Sequence, residues 1–345
     1  MSTTERLDEF QRRHPWAAFP LAVVYKFHDD QGIYLAALIA YYGFLSIFPL
    51  LLLFTSILGF VLQNDPDLQQ RVLDSTLSQF PVIGQQLDDP QGLRGNGVAL
   101  VVSAFIALYG ALGVAHAIQN AMNATWAVPR YRRPNPFHLR VRSLLLIALV
   151  GLATVFTTVL SALAASAAQF GAAEVGWLSA LLIIVASVAV NAGMFVVGFR
   201  ICVAGLSRSL RSLLAGALTA AIFWQGLQVG GTAYVGRVVK GADIAYGAFA
   251  LVLGLLAWMF LSGIVLVLSA EIDVVRCKRL YPRALMTPFT DNVDLTSADR
   301  LTYTELARAQ QAKGFETVTV SFTNDGSMRH PSSRGDRAKR RGRPP

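Results

Sequence analysis

The sequence predicts an all-α protein that crosses a membrane several times. Only 15% of its 345 residues are charged and 54% are hydrophobic, whereas about 25% of the residues in soluble domains are charged. A run without any charged side chain reaches from Ile33 to Leu62, although a membrane-spanning helix needs only about 20 residues. Pro49 lies inside this run and is a natural place for a kink. Five further apolar runs follow, so the chain is polytopic rather than a soluble domain with one buried helix.

Six spans are predicted, and their order assigns a side to each loop. They lie near residues 33–62, 97–121, 144–168, 177–199, 213–235 and 246–270. The loops 126–143 and 200–212 carry five and three arginines and no acid, whereas the opposite loop 63–96 carries five aspartates and two arginines. Because basic loops remain in the cytoplasm, both termini are predicted to be cytoplasmic.

The chain divides into four parts. Residues 1–32 form a cytoplasmic segment, with a possible helix along the membrane interface at 15–28, and residues 33–270 form the bundle. The outer loop 63–96 has apolar residues at helical spacing, which predicts a short surface helix. Residues 271–323 are predicted to be a cytoplasmic tail with a capped helix and a short strand, whose alternating residues are Val318, Val320 and Phe322. Residues 324–345 are polar and basic, and disorder is expected there.

Polar residues inside the predicted spans are the candidate functional positions. They are Tyr42, Ser46, His116, Asn120, Asn123, Asn191, Gln225 and Gln228. An amide that faces lipid is left unpaired at a cost of a few kcal/mol, so these residues are expected to face inward. The sequence leaves two interpretations open. They line a cavity for a solute or lipid, or they join helices at about 1 kcal/mol or less per pair.

Charged residues at the predicted inner face form a second candidate group. They are Arg130, Arg140, Arg142, Glu271 and Asp273. The two acids end the last span, and the simplest expectation is that they cap arginines of the loop 126–143. A gating role is the alternative hypothesis. His116 is the titratable residue well within a span, and a neutral, hydrogen-bonded histidine is expected there rather than a proton relay.

The sequence contains no pattern of an enzyme. The two cysteines lie at the predicted cytoplasmic face, and the five histidines are scattered without metal-ligand spacing. Phosphate-binding glycine loops, HExxH and GxSxG are absent from the sequence. We therefore expect no catalytic residues, no metal and no cofactor.

Several segments resemble a known family. They are "AALIAYYGFLSIFPLLLL", "NATWAVPRYRRPNPFHLRVRSLLLI", "GALTAAIFWQ" and "YGAFALVLGLLAWMFLSGIVLVLSAEID". Together they resemble the YihY/virulence factor BrkB family of bacterial inner-membrane proteins, over roughly residues 20 to 280. The resemblance implies a multi-pass inner-membrane protein with six helices, in a family at times suspected of transport. Some members carry a ribonuclease BN label, but the family implies no agreed substrate and no agreed catalytic residues.

The expected function is that of a transporter or lipid-handling protein with a polar intramembrane cavity. The alternative is a non-transporting membrane scaffold that binds a partner. A ribonuclease would need a metal or acid–base cluster at the cytoplasmic side, and the sequence shows none. The expected partners are membrane lipids, with anionic lipid at the basic loops, and an unidentified solute or lipid. The chain end "AKRRGRPP" resembles a DNA-binding AT-hook, but nucleic acid is not expected as a partner. The oligomeric state stays open.

Overall fold

The computed structural model describes residues 3–61, 97–169, 176–205, 210–234, 244–290 and 293–322. Nine α-helices lie in these ranges. They are α1 (Thr3–Arg13), α2 (Pro15–Asp29), α3 (Gly32–Val61), α4 (Gly97–Thr125), α5 (Pro136–Gln169), α6 (Gly176–Cys202), α7 (Leu214–Tyr234), α8 (Ile244–Lys278) and α9 (Ser297–Ala309). Helices α3 to α8 occupy the positions of the predicted spans, so the chain has the all-α architecture of a multi-pass membrane protein.

Five segments within the described residues are long and apolar enough to cross a membrane. They are Ala104–Thr125, Pro136–Thr154, Val185–Cys202, Leu210–Gly231 and Val252–Lys278. Helix α3 contributes the shorter apolar segment Gly32–Ile47. Helix α3 packs against α4 and α8, α7 lies between α6 and α8, and α5 contacts α4 and α6. Helix α4 also contacts α6 and α8 and therefore lies towards the middle of the bundle.

Small residues bring α3 close to its two neighbours. A Cβ atom added at Gly110 of α4 would lie 2.6 Å from Cβ of Ser46, and one added at Gly263 of α8 would lie 2.8 Å from the carbonyl oxygen of Ala36. Side chains larger than hydrogen do not fit at such contacts. Close backbone approach through small residues is the usual way in which membrane helices gain contact area, because lipid and side chains are equally apolar.

The predicted inner ends of the helices meet at one end of the bundle, which we call the basic end. There Lys26 donates to the carbonyl oxygen of Thr125 at 3.2 Å, at the end of α4. The thiol of Cys277 donates to the carbonyl oxygen of Ser212 at 3.4 Å, which joins the end of α8 to the start of α7. A buried apolar cluster fills the same region and includes Met122, Trp126, Phe199, Leu213, Val274 and Leu280. The described helix ends that the charge count placed on one side therefore lie together.

The tail after α8 folds in part as predicted. Helix α9 starts with a capping box, in which the Thr296 hydroxyl accepts from the backbone of Asp299 and the Asp299 carboxylate accepts from the backbone of Thr296. The predicted strand is wrong, because residues 316–322 have no regular secondary structure and the described part of the chain contains no strand. A single strand needs a neighbouring backbone with which to pair, and residue alternation does not supply one. The predictions for 63–96 and 324–345 lie outside the described residues.

Candidate functional site

Asn123, at the basic end of α4, is buried, and both its amide nitrogen and its amide oxygen are hydrogen-bonded to backbone groups. Its Nδ2 donates to the carbonyl oxygens of Gln119 at 2.7 Å and Cys202 at 3.4 Å. Its Oδ1 accepts from the backbone nitrogen of Ala204 at 2.9 Å. The side chain therefore satisfies backbone groups just beyond the end of α6, where a helix leaves its last carbonyl oxygens without intrahelical partners.

Asn123→Leu is expected to lower the free energy of unfolding in detergent by about 1–3 kcal/mol, because buried backbone groups would lose their partners. Thermal unfolding of the purified protein measures the change. Asn120→Leu is the matched control, since Asn120 is only half-buried and its Oδ1 accepts from Arg133 Nη1 at 3.1 Å. Equal melting temperatures for the two variants would contradict the role of Asn123.

The remaining predicted residue of α4, His116, is exposed, and so is Tyr109 on the same face, with 68% of its surface accessible. This differs from the expectation of a histidine hydrogen-bonded within the bundle. The physical reason is the opposite stripe of α4, where Ala107, Ala111 and Ala115 are buried. Small residues allow the closest approach of neighbouring helices, so this stripe takes the inward position.

The predicted polar residues of α3 lie at the contact with α4. The ring of Tyr42 covers Gly113, where an added Cβ would lie 2.4 Å from Cδ1. The hydroxyl of Ser46 is buried and donates to the carbonyl oxygen of Gly43 at 3.0 Å. Both residues face protein, as predicted, and both contribute to helix packing.

Helices α6 and α7 share the other predicted polar group. The hydroxyl of Ser187 donates to Oε1 of Gln225 at 3.4 Å. Asn191 is buried one turn further along α6, and Gln228 is half-buried on α7. The structure thus brings the predicted residues of these two helices to one interface, separate from the α3–α4 contact.

The two acids of α8 bind partners other than the arginines of the loop 126–143. Asp273 Oδ1 accepts from the backbone nitrogen of Gly216 at 2.7 Å, so the carboxylate caps the first turn of α7. Glu271 lies 3.7 Å from the Nζ atom of Lys26 in α2. The prediction that these two acids cap arginines of the loop 126–143 is therefore wrong. Arg130 and Arg140 are exposed, and Nη1 of Arg142 is buried without a hydrogen-bond partner.

Lys26, Asp30 and Glu271 form a closed cluster between α2 and α8. The side chains of Lys26 and Asp30 are 2% and 1% exposed, and that of Glu271 is fully buried. Nζ of Lys26 pairs with Asp30 and donates to Thr125. Sequence inspection missed Lys26 and Asp30 because they precede the first predicted span. The signal available was the pair of aspartates in "FHDDQG", directly before an apolar run.

Buried polar atoms without hydrogen-bond partners gather at the basic end. They include Glu271 Oε1 and Oε2, Asp30 Oδ1, Asp273 Oδ2, Ser269 Oγ and Gln119 Oε1. Gln119 was also missed, although its Nε2 donates to Ser143 Oγ at 2.9 Å and links α4 to α5. Within the described ranges, groups of three or more His, Cys, Asp or Glu side chains that could hold a metal ion are absent.

Comparison with known proteins places the chain in a family. The family model for virulence factor BrkB matches residues 23–291. The chain belongs to the virulence factor BrkB family. A UPF0761 membrane protein from Alkalilimnicola ehrlichii is 29% identical over 266 residues, which cover 73% of this chain and 57% of that relative. The chain thus spans little more than half the length of this curated relative. No solved structure matches.

Membership of the BrkB family agrees with the apolar helices, and the protein is a multi-pass bacterial membrane protein. The family match includes the second half of α2 and the segment after α8 as well as the spans. It therefore covers both sides of the Lys26–Glu271 contact and extends to the residues around Arg283.

In this BrkB-family chain, Arg283 joins the segments that flank the bundle. Its side chain is fully buried, binds Asp29 of α2 at 3.0 Å, and pairs with Asp299 of α9. The guanidinium also lies 5.4 Å from the ring centroid of Tyr303. The side chain of Gln11 in α1 donates to the carbonyl oxygen of Arg283. We call α1, α2, residues 279–290 and α9 the basic-end cap.

Proposed function

We propose that this BrkB-family protein moves a solute or lipid through its helix bundle, with the inner mouth of the path at the basic end. The observation that carries the proposal is the group of buried polar atoms without partners around Ser269, Glu271 and Asp273 of α8. In proteins, buried polar groups are almost always paired. Ionisable groups within membrane helices mark ion or substrate pathways by default.

The second support is the way in which the polar residues are distributed. Residues near the middle of the bundle, such as Ser46 and Ser187, have their hydroxyls in hydrogen bonds with neighbouring groups. The unpartnered oxygens lie nearer the basic end, where α7 and α8 meet. A polar ligand that reached this end of the bundle would find acceptor atoms that no protein group uses.

Native mass spectrometry of the protein extracted from its own membrane tests the proposal without a guess about the substrate. A discrete bound lipid or metabolite is expected, and its occupancy should fall severalfold in Asp273→Asn, Asn191→Ala and Gln228→Leu. Asp273→Asn keeps an acceptor for Gly216 and removes only the charge. Lys313→Ala, at an exposed position after α9, is the control. A clean protein mass, with bulk lipid alone and in all variants alike, would contradict a ligand path.

A membrane scaffold is the second candidate, and the basic-end cap favours it. Phe289 in the cap and Phe315, which follows α9, are 76% and 90% accessible, and exposed aromatic residues often mark protein contacts. Co-purification of a protein that is lost in Phe315→Ala, together with an empty bundle, is the result that would support this function instead.

Catalysis is not part of the proposal. If a purified preparation cleaves RNA, and the cleavage survives both His116→Ala and Glu271→Gln but stops with an added nuclease inhibitor, a contaminating nuclease is the source.

A further inference from the structure

The buried cluster of Lys26, Asp30 and Glu271 has an unbalanced charge. One ammonium faces two carboxyl groups, and the three side chains are at most 2% exposed. If both carboxyl groups were ionised, the cluster would carry one net negative charge away from water. An uncompensated buried charge costs several kcal/mol.

Three carboxyl oxygens of the cluster have no hydrogen-bond donor that could stabilise a negative charge. Oδ1 of Asp30 and both oxygens of Glu271 are buried and accept no hydrogen bond from an N–H or hydroxyl group. Both carboxyl groups nevertheless face the same ammonium, because Nζ of Lys26 pairs with Asp30 and lies 3.7 Å from Oε2 of Glu271. Two ionised carboxylates repel each other, whereas a carboxylic acid can donate to a carboxylate.

The neighbouring charges are already engaged. On α2, Asp29 binds Arg283 at 3.0 Å. On α8, the ammonium of Lys278 binds Glu305 at 2.7 Å and the carbonyl oxygen of Trp126 at 3.0 Å. Helix α4 contributes the carbonyl oxygen of Thr125, which carries no formal charge.

Lys26 itself remains an ammonium ion. Burial opposes its charge, but the carboxylates of Glu271 and Asp30 outweigh burial and raise the pKa of Lys26 above its ordinary value. A proton that balances the charge of the cluster must therefore bind to a carboxyl oxygen.

We propose that the cluster is a proton-binding site, in which the two carboxyl groups that face the Lys26 ammonium hold one exchangeable proton between them. With the proton bound, the cluster is neutral and α2 is held against α8. Release of the proton to water leaves a buried negative charge, which weakens the contact between α2 and α8. No bond other than the O–H bond forms or breaks.

This site gives the basic end a proton-dependent contact. A coupling between the proton and solute movement rests on the proposed function, but the proton site itself does not.

Infrared difference spectroscopy of the full-length protein in lipid nanodiscs tests the site. The wild type at neutral pH should show the C=O band of a buried carboxylic acid that shifts in ²H₂O and disappears as the pH is raised. Glu271→Gln and Asp30→Asn should each remove this band, because one carboxylate then balances one ammonium. Lys26→Met should increase it, because both carboxyl groups must then be neutral. Glu305→Gln, which changes a partly exposed carboxylate, should leave it unchanged.

The opposite effects of the variants guard against a folding artefact, since a misfolded protein would not lose the band in one variant and strengthen it in another. If Glu271→Gln does not fold, Asp30→Asn gives the same information from α2. A band that persists in both variants would overturn the proton site, and the native mass measurement would still stand. If both variants lose the band but native mass spectrometry finds no ligand bound to the wild type, the proposed transport is refuted and the proton site remains.

Discussion

Arg283→Ala is expected to lower the free energy of unfolding of the basic-end cap by about 3–5 kcal/mol, because it would leave buried carboxylates without their cation. Asp299 is fully buried and accepts from Arg283, from the backbone nitrogen of Ala284 at 3.0 Å and from Thr296. Asp29 would lose the same partner at 3.0 Å. Without the guanidinium, α9 loses its charged link to α2 and should detach from the bundle.

Limited proteolysis within residues 293–322, together with thermal unfolding, measures this loss. Cleavage in Arg283→Ala should be much faster than in the wild type. Arg13→Ala is the matched control, since Arg13 pairs with Glu9 on the exposed side of α1 and its side chain is 72% exposed. Such exposed pairs contribute about 0.2–1 kcal/mol. Arg283→Lys should lie between the two, because lysine keeps the charge but lacks the planar fork of donors. Equal cleavage of Arg283→Ala and Arg13→Ala would refute the role given to Arg283.

Gly216→Ala is expected to separate α7 from α8 and to destabilise the protein by about 1–3 kcal/mol or more, as overpacking does. A Cβ atom at this position would lie 2.1 Å from the carbonyl oxygen of Ser269 and 2.5 Å from Oδ2 of Asp273. The first of these atoms belongs to the backbone of a neighbouring helix and cannot rotate away. The hydrogen bond from Gly216 to Asp273 should be lost with the contact.

Gly226→Ala on the same helix gives the contrast. A Cβ there meets nothing within 4 Å, and alanine is the better helix former by about 1 kcal/mol. Thermal unfolding in detergent should therefore show a lower melting temperature for Gly216→Ala and an equal or higher one for Gly226→Ala. A pair of variants with the same shift would argue that the α7–α8 contact is looser than the structure shows.

The polar residues of the spans show where prediction from sequence reached its limit. The sequence predicts that Asn191, Gln225 and Gln228 face inward; Asn191 is buried in α6, and Gln225 and Gln228 are half-buried on α7. It also groups His116 with Asn123, although His116 is exposed and Asn123 is buried. The two residues are seven positions apart and share one face of the helix, so they differ in their position along α4. At the basic end α4 is covered on all sides, and Gln119, Met122 and Thr125 are buried there as well.

The predicted strand at Val318–Phe322 failed for a related reason. Alternation describes one chain segment, whereas a strand exists only in a pair. The capped helix that precedes it was predicted correctly, because Thr296 and Asp299 satisfy the first turn of α9 by themselves. A structural feature whose hydrogen bonds join residues a few positions apart, such as this capping box, can be predicted from the sequence.

The sequence by itself determined the fold class, the positions of the apolar helices and the set of loops that share one side. These follow from hydrophobicity and charge summed over neighbouring residues, and such sums need no knowledge of packing. Only the tertiary structure decided the partners of the buried charges. Arg283 meets Asp29 at a distance of 254 positions along the chain, and Lys26 meets Thr125 at a distance of 99. A buried charge pairs with a group that helix packing brings close to it. The packing of α2, α4 and α8 therefore decides which residues pair, and the order of residues along the chain does not.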